Sequence, residues 1–311
     1  MNRYFKIFVC STATISVTSA HFNYFGWLKN SLAGIKPWDD KLFDTLIDKQ
    51  RSLVHGDKNI YLIRHGKYNT EAELDSEKTL TELGWKQAAE TGKYLKNQNI
   101  KNPKFVHSGK IRAIESLCGI LWSYDENFRR KIIKMYNLDH AVELPINELK
   151  KFSAQKSLDK PKIYEKDNRI ISLVSVQPSI FASLSSYPVY MTSLINEGPP
   201  IIAPSPWKDS LKPSERQQHG EKIEQGLGTI LSISFNQEEG PENLIVVCHA
   251  NVIRYWLCRL LQVPLDAWLR LTLYHGSVSL VSLYTYEKTG NVSVTKIGES
   301  GHLKNNLLTT R

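Results

Sequence analysis

The sequence predicts an α/β fold: a three-layer α/β/α sandwich with a mostly parallel central sheet. Three observations predict it. Short apolar runs that read as buried strands alternate with longer stretches of helical spacing, the pattern of parallel strands with helices packed on both faces. The 311 residues are 41% hydrophobic and 23% charged, enough apolar material for one large core without covalent staples. Two of the apolar runs end in Arg-His or Cys-His, at the strand ends where open parallel sheets hold ligands.

Each element follows from its own stretch. "NIYLIRHG" (59–66) reads as a short strand buried on both faces, because its apolar residues run on rather than alternate. "LTELGWKQAAETGKYLKNQ" (80–98) reads as a helix, with Leu83, Ala88, Thr91 and Leu95 near helical spacing. "KFVHSGKIRAIESLCGILWS" predicts a strand at 104–107 and a helix from about 110. "ENLIVVCHANVIRYWLCRLLQVP" repeats the design, with a strand ending near Cys248, a helix from about Asn251 to Gln262, and Pro264 as a stop. "SVSLVSLYTYEKTGNVSVTKIG" predicts a hairpin with Gly290-Asn291 at the turn. Residues 123–188 lack a clear period and read as an insertion.

The formal charge is +9 and the sequence pI is about 9.2. That balance suits anionic partners, but no Lys/Arg run is long enough to favour nucleic acid. Cys10, Cys118, Cys248 and Cys258 form no CxxC pair and read as reduced, buried thiols. Residues 1–38 hold Arg3, Lys6, Lys29 and Lys36 but no acid, and 7–28 carry no formal charge. A stretch of this length reaches across a bilayer, which takes about 20 residues. The first reading is a mitochondrial targeting segment retained as a membrane anchor over 1–33; a secretory signal cleaved after Ala20 and an ordinary first helix are the alternatives. Residues 34–58 read as a connector carrying "WDDKLFD" (38–44), ahead of one domain over 59–311.

"RHG" alone arises by chance. Here "LTELGWKQA" (80–88), "SGKIRAIES" (108–116), "NEG" (196–198) and "CHANVIR" (248–254) follow it in order. Together they resemble the histidine phosphatase superfamily, also called the phosphoglycerate mutase-like family. The run 248–278, the acid-free leader and the Trp-Asp motif narrow the likeness to its mitochondrial serine/threonine protein phosphatase members. The resemblance implies His65 as nucleophile and phosphohistidine carrier, His249 facing it, Glu197 as the acid, and Arg64 and Arg112 as phosphate-binding forks. A carboxyl in a partly desolvated cleft is expected to have a raised pKa, so that Glu197 donates its proton.

The resemblance therefore implies a phosphatase acting on phosphoserine or phosphothreonine of partner proteins, with no metal and no cofactor. It implies attachment to a mitochondrial membrane, the outer rather than the inner, and a homo-oligomer through the Trp38–Asp44 region. That motif departs from the relatives' spacing by one residue. A small-molecule phosphatase or mutase on the same site, and a membrane-tethered scaffold without catalysis, are the alternative readings.

Overall fold

The seven residues of β5 (Glu242–Cys248, ENLIVVC) hold the centre of the fold. Six of them are buried, as a strand must be when paired on both edges and covered on both faces. On one edge it pairs in parallel with β1 (Lys58–Arg64), in register from Lys58↔Glu242 to Arg64↔Cys248. On the other it pairs in parallel with β2 (Lys104–His107), His107 opposite Val247. With β3 (Gln177–Pro178), β4 (Val189–Met191), β6 (Val278–Tyr286) and β7 (Thr289–Glu299), the sheet runs β3-β4-β2-β5-β1-β6-β7. The four central strands are parallel; the outer pairings, β3 with β4, β6 with β1 and β7 with β6, are antiparallel.

This is a computed structural model, and it describes residues 57–140, 142–157, 177–178, 180–200, 212–232, 240–286 and 289–310. The expected leader, the connector as far as residue 56 with its Trp38–Asp44 motif, and Cys10 lie outside the described residues, as do 158–176 of the expected insertion. No described helix is long and apolar enough to cross a membrane. Cys118, Cys248 and Cys258 are buried and free.

The period-2 alternation of strand side chains divides the core in two. Ile63, Phe105, Ile245 and Val247 face one layer, built from α1 (Glu82–Asn97), α2 (Ile111–Tyr124), α3 (Glu126–Tyr136) and α4 (Ile146–Ser157). Ile60, Leu62, Val106, Leu244 and Val246 face the other, built from α5 (Pro213–Ser232) and α6 (Ala250–Leu260). Trp256 of α6 donates to the Ile223 carbonyl of α5 at 2.9 Å, and Arg259 grips Glu224 through Nε and Nη2.

The stretch 123–188 contributes part of this core. Phe128, Ile132 and Ile133 of α3 and Leu149 and Phe152 of α4 are buried against α2, each worth about 1.5–3 kcal/mol of apolar burial. Asp125 fastens both ends of the segment. It caps α3 through Asn127 N and Phe128 N and accepts from Ser185 Oγ, Ser186 N and Ser186 Oγ at 2.7–2.9 Å, just before β4.

The predicted turn at Gly290-Asn291 is displaced. Gly290 pairs with Thr285 and Asn291 with Tyr284, so both lie in the β6–β7 ladder and the hairpin closes between Tyr286 and Thr289. The register sets Val292 opposite Leu283 and Val294 opposite Val281, all on the layer of α5 and α6. A one-residue slip would turn that face to solvent, and this outweighs the local Gly-Asn turn preference.

The "RHG" and "LTELG" motifs meet directly. Thr81 caps α1, accepting from Gly84 N at 3.1 Å and donating to the Lys67 carbonyl at 3.2 Å. That brings the helix so close to the chain after β1 that a Cβ at Gly84 would strike the Lys67 carbonyl, and one at Gly66 the Gly84 carbonyl. Gly84→Ala gains about 1 kcal/mol in helix propensity but must displace backbone, at a cost of about 1–3 kcal/mol or more. The expected net result is a lower urea midpoint than the parent's; a midpoint unchanged or raised would contradict this contact.

Candidate active site

The parallel pairing of β1 with β5 delivers two histidines to the same edge. His65 follows β1 directly and His249 follows β5, serving as the N-terminal flanking residue of α6. Their rings lie 5.1 Å apart, and both are buried, at 1% and 0% exposure. His65 N donates to the Cys248 carbonyl at 3.1 Å. Arg112 enters from the first turn of α2, after β2. Glu197 follows a short 3-10 turn, Ser193–Ile195, beyond β4.

Glu197 Oε2 gathers these groups. It stands 3.1 Å from His249 Nδ1, 3.7 Å from His65 Nε2 and 3.8 Å from Arg112 Nη2. Four of the five residues expected from the sequence are thus brought together; the fifth, Arg64, precedes His65 in the chain and its guanidinium is held by other partners. The Arg64 guanidinium donates to the carbonyls of Leu273 and Thr310 and lies 2.8 Å from His275 Nε2. Its Nε is buried and has no hydrogen-bond partner among the described residues; nor have Arg112 Nε and His249 Nδ1, whose approach to Glu197 is not an aligned hydrogen bond. Two buried guanidinium N–H groups without acceptors, beside an imidazole nitrogen with no aligned partner, fit an oxyanion.

The tautomer of His65 follows from its neighbour. Nδ1 is 2.8 Å from the Gly66 carbonyl, and a carbonyl only accepts, so Nδ1 carries the proton. Nε2 is left with its lone pair on the side of Glu197. Burial above all holds the His65 pKa down at about 4, so the ring is neutral at pH 7 and its lone pair is available. His249 is likewise lowered, chiefly by burial, and its Nε2 is 2.8 Å from Ser108 Oγ.

The expected raised pKa of Glu197 does not describe this arrangement. Burial alone would raise it, but the His249 and then the His65 imidazoles outweigh burial and hold the carboxyl well below the usual carboxylate range. Glu197 and the two rings titrate as one coupled cluster, in which the carboxyl is biased towards ionisation and burial biases the rings towards neutrality. Around it stand Arg64, Arg112, Lys110 and Arg254 against Glu197 and Asp75, a cationic excess that suits a phosphoryl dianion. Asp75 bridges Lys110 at 2.7 Å and Arg112 at 2.9 Å; burial alone would raise its pKa, but these two partners hold it at about 2.

His65, Glu197 and His249 also bring three ligand-type atoms within 4.8 Å of one another. A metal ion there would share Glu197 Oε2 with the Arg112 guanidinium, and like charge opposes that placement. The donor set fits an anion better.

Sequence reasoning missed several contributors. Ser108 follows β2 directly, the third adjacent strand end, and lay inside the quoted "SGKIRAIES". Ser116, one helical turn beyond Arg112, accepts from Gly66 N at 2.9 Å and donates to the Arg112 carbonyl at 2.7 Å. Tyr68 lies edge-on to His65 at 5.0 Å with the Arg112 guanidinium over its ring at 5.0 Å. His275 is the largest omission; "YHGSV" repeats the His-Gly step of "RHG" ahead of a strand.

A sequence profile of the histidine phosphatase superfamily (branch 1) matches residues 60–129 and 206–295, just over half of the chain. The chain belongs to that superfamily, as its motifs implied. Among curated proteins it is 28% identical over 286 residues to the mitochondrial serine/threonine-protein phosphatase Pgam5 of Drosophila melanogaster, covering 91% of this chain and 77% of that one. It is 30% identical over 247 residues to the Pgam5 phosphatase of Xenopus tropicalis, also named mitochondrial, covering 79% and 66%.

Buried neutral imidazoles make stability depend on pH. His107, on β2, is buried and its pKa falls to about 3 through burial alone. A folded pKa below the unfolded value of about 6.5 means the unfolded chain binds the extra proton, so this contribution is present above pH 6.5 and is lost as pH falls towards the folded value. Glu115, raised to about 7 mainly by burial, acts with the opposite sign, so the clean readout is a difference between proteins. His107→Asn, which keeps an acceptor for Gly109 N, is expected to flatten the fall in unfolding free energy between pH 6.5 and 5 by up to about 1.4 kcal/mol per pH unit. Parallel pH profiles for the two proteins in urea titrations would contradict a neutral His107.

Proposed function

We propose that the chain is a protein phosphatase that takes the phosphoryl group of phosphoserine or phosphothreonine on to His65. One observation carries this reading: a neutral, correctly tautomerised His65 Nε2 beside a carboxylate, among buried donors that lack acceptors. The named activity of the relatives supports the choice of a phosphoprotein over a small ester, and the +9 charge supports an anionic substrate.

The chemistry follows from the charge state. A phosphoryl dianion entering between Arg64, Arg112 and His249 opposes the ionisation of Glu197 and drives a proton on to its carboxyl. His65 Nε2 attacks phosphorus; the P–N bond forms as the P–O bond to the serine or threonine breaks, and Glu197 protonates the departing oxygen. Water then attacks the phosphohistidine and gives a proton to the Glu197 carboxylate. The P–N electron pair returns to Nε2, and phosphate leaves. The arginines and His249 stabilise the charge spread over the equatorial oxygens in both steps.

The reading includes a mitochondrial address carried by the acid-free leader, membrane attachment through residues 1–33 and self-association through Trp38–Asp44. The names of the relatives support the first of these.

The purified full chain is expected to hydrolyse phosphoserine and phosphothreonine peptides with higher kcat/KM than phosphoglycerates or sugar phosphates. The reverse order would replace this reading with a small-molecule phosphatase or mutase. His65→Ala should lower kcat by more than about 10³-fold. Glu197→Gln should cost about 10²–10⁴-fold on a phosphoserine peptide but much less on p-nitrophenyl phosphate, whose leaving oxygen needs no proton. Equal losses on both substrates would remove Glu197 from the acid role.

A further inference from the structure

Arg64 is buried, at 8% exposure, with its pKa lowered to about 10, chiefly by burial. Three groups that are far from it in sequence engage its two terminal nitrogens. Nη1 donates to the Leu273 carbonyl, and Nη2 donates to the Thr310 carbonyl at 3.0 Å and meets His275 Nε2 at 2.8 Å. A guanidinium has no acceptor, so His275 Nε2 must accept and its proton must sit on Nδ1. Nδ1 finds acceptors in Thr309, at 3.1 Å to the carbonyl and 3.0 Å to Oγ1. His275 N also donates to the Thr309 carbonyl at 2.9 Å. The imidazole, at 1% exposure, lies 5.7 Å from the His65 ring. With Arg64, Tyr68, Thr70 and Thr310 it lines a cavity of about 390 Å³ beside the nucleophile.

The same segment reaches the other side of the nucleophile. Gln87 Nε2 donates to the Leu307 carbonyl at 2.6 Å and to Thr309 Oγ1 at 2.8 Å, while Gln87 Oε1 accepts from Lys67 N at 2.8 Å. Residues 307–310 therefore tie together the chain that leaves His65 and the guanidinium that precedes it.

We propose that His275 is a positioning residue for Arg64: anchored by Thr309, it takes up the guanidinium's terminal edge and leaves Arg64 Nε–H to the phosphoryl oxygen. Burial among fixed acceptors replaces the rotamer freedom of a long arginine with one orientation, and aim decides how much a charged donor contributes to anion binding. The imidazole does this only while neutral, since a protonated Nε2 would confront the guanidinium donor to donor. Nothing in His275 itself needs to touch the substrate.

This inference rests on the proposed phosphoryl site, but it is tested by binding, separately from turnover. Inorganic phosphate is titrated calorimetrically into the full chain as wild type, His275→Ala, His275→Gln, Arg64→Lys and Arg64→Lys/His275→Ala. His275→Ala is expected to raise the phosphate Kd about tenfold, the loss of roughly one charge-assisted hydrogen bond. Gln, whose carbonyl oxygen can take the place of Nε2 as acceptor, should recover most of it. In the Arg64→Lys background, where one ammonium replaces the fork, His275→Ala should change Kd by less than about twofold, the signature of an effect that acts through Arg64. Equal losses in both backgrounds, failure of Gln to recover affinity while the fold is intact by thermal melting, or no phosphate binding by the wild type would each overturn the proposal. Coupling between His275 and Arg64 without phosphopeptide hydrolysis would leave it standing and remove the proposed function instead.

Discussion

The site depends on one alignment: β1 and β5 lie side by side, parallel and in step, with Arg64 opposite Cys248. Because parallel strands end at the same edge, the residue after each leaves the sheet beside the other. His65 and His249 thereby stand 5.1 Å apart although 184 positions separate them in the chain. Removing that register scatters the cluster, because Arg112 arrives from the helix after β2 and Glu197 from the turn after β4, both further along the same sheet. The apolar continuity of NIYLI and LIVV thus carries a functional consequence beyond core burial.

Placing two imidazoles and a carboxyl at a buried edge fixes their charge states. Desolvation works against every ion present: it pushes both rings towards neutrality, while their coupling to Glu197 pulls the carboxyl towards ionisation. A neutral His65 is the nucleophilic form. An ionised Glu197 is the wrong form for a general acid until negative charge arrives. In the proposed mechanism the substrate's own phosphoryl group supplies that charge, so the acid is armed by the ligand it serves. This couples binding and catalysis more tightly than a carboxyl that is permanently protonated.

Much of this was legible in the letters. Apolar runs bounded by helical spacing gave β1, β2, β5, α1, α2 and α6 close to their observed limits, and the five candidate residues lay in short motifs that follow strands. What was not legible has physical reasons. In α3, Phe128, Ile132 and Ile133 sit at helical spacing, but Arg129, Arg130 and Lys131 between them and Lys134 after them dilute the apolar signal; the burial is narrow and the exposed face is charged. The hairpin was misplaced by its Gly-Asn pair, since the ladder obeys side-chain burial over local turn preference. The charge state of Glu197 depends on distances that no sequence pattern encodes. His275 stands in no helical or strand period that marks it out, and only the contact with Arg64 across 211 positions reveals its place.

The central claim is that His65 Nε2, freed by the Nδ1–Gly66 contact, attacks phosphorus. The most direct measurement is to quench the enzyme during turnover under alkaline conditions and assign the phosphohistidine isomer by mass spectrometry and ³¹P NMR. The account predicts phosphorus on Nε2 of His65. An adduct on Nδ1, an adduct on His249, or steady hydrolysis with no phosphohistidine formed would contradict it.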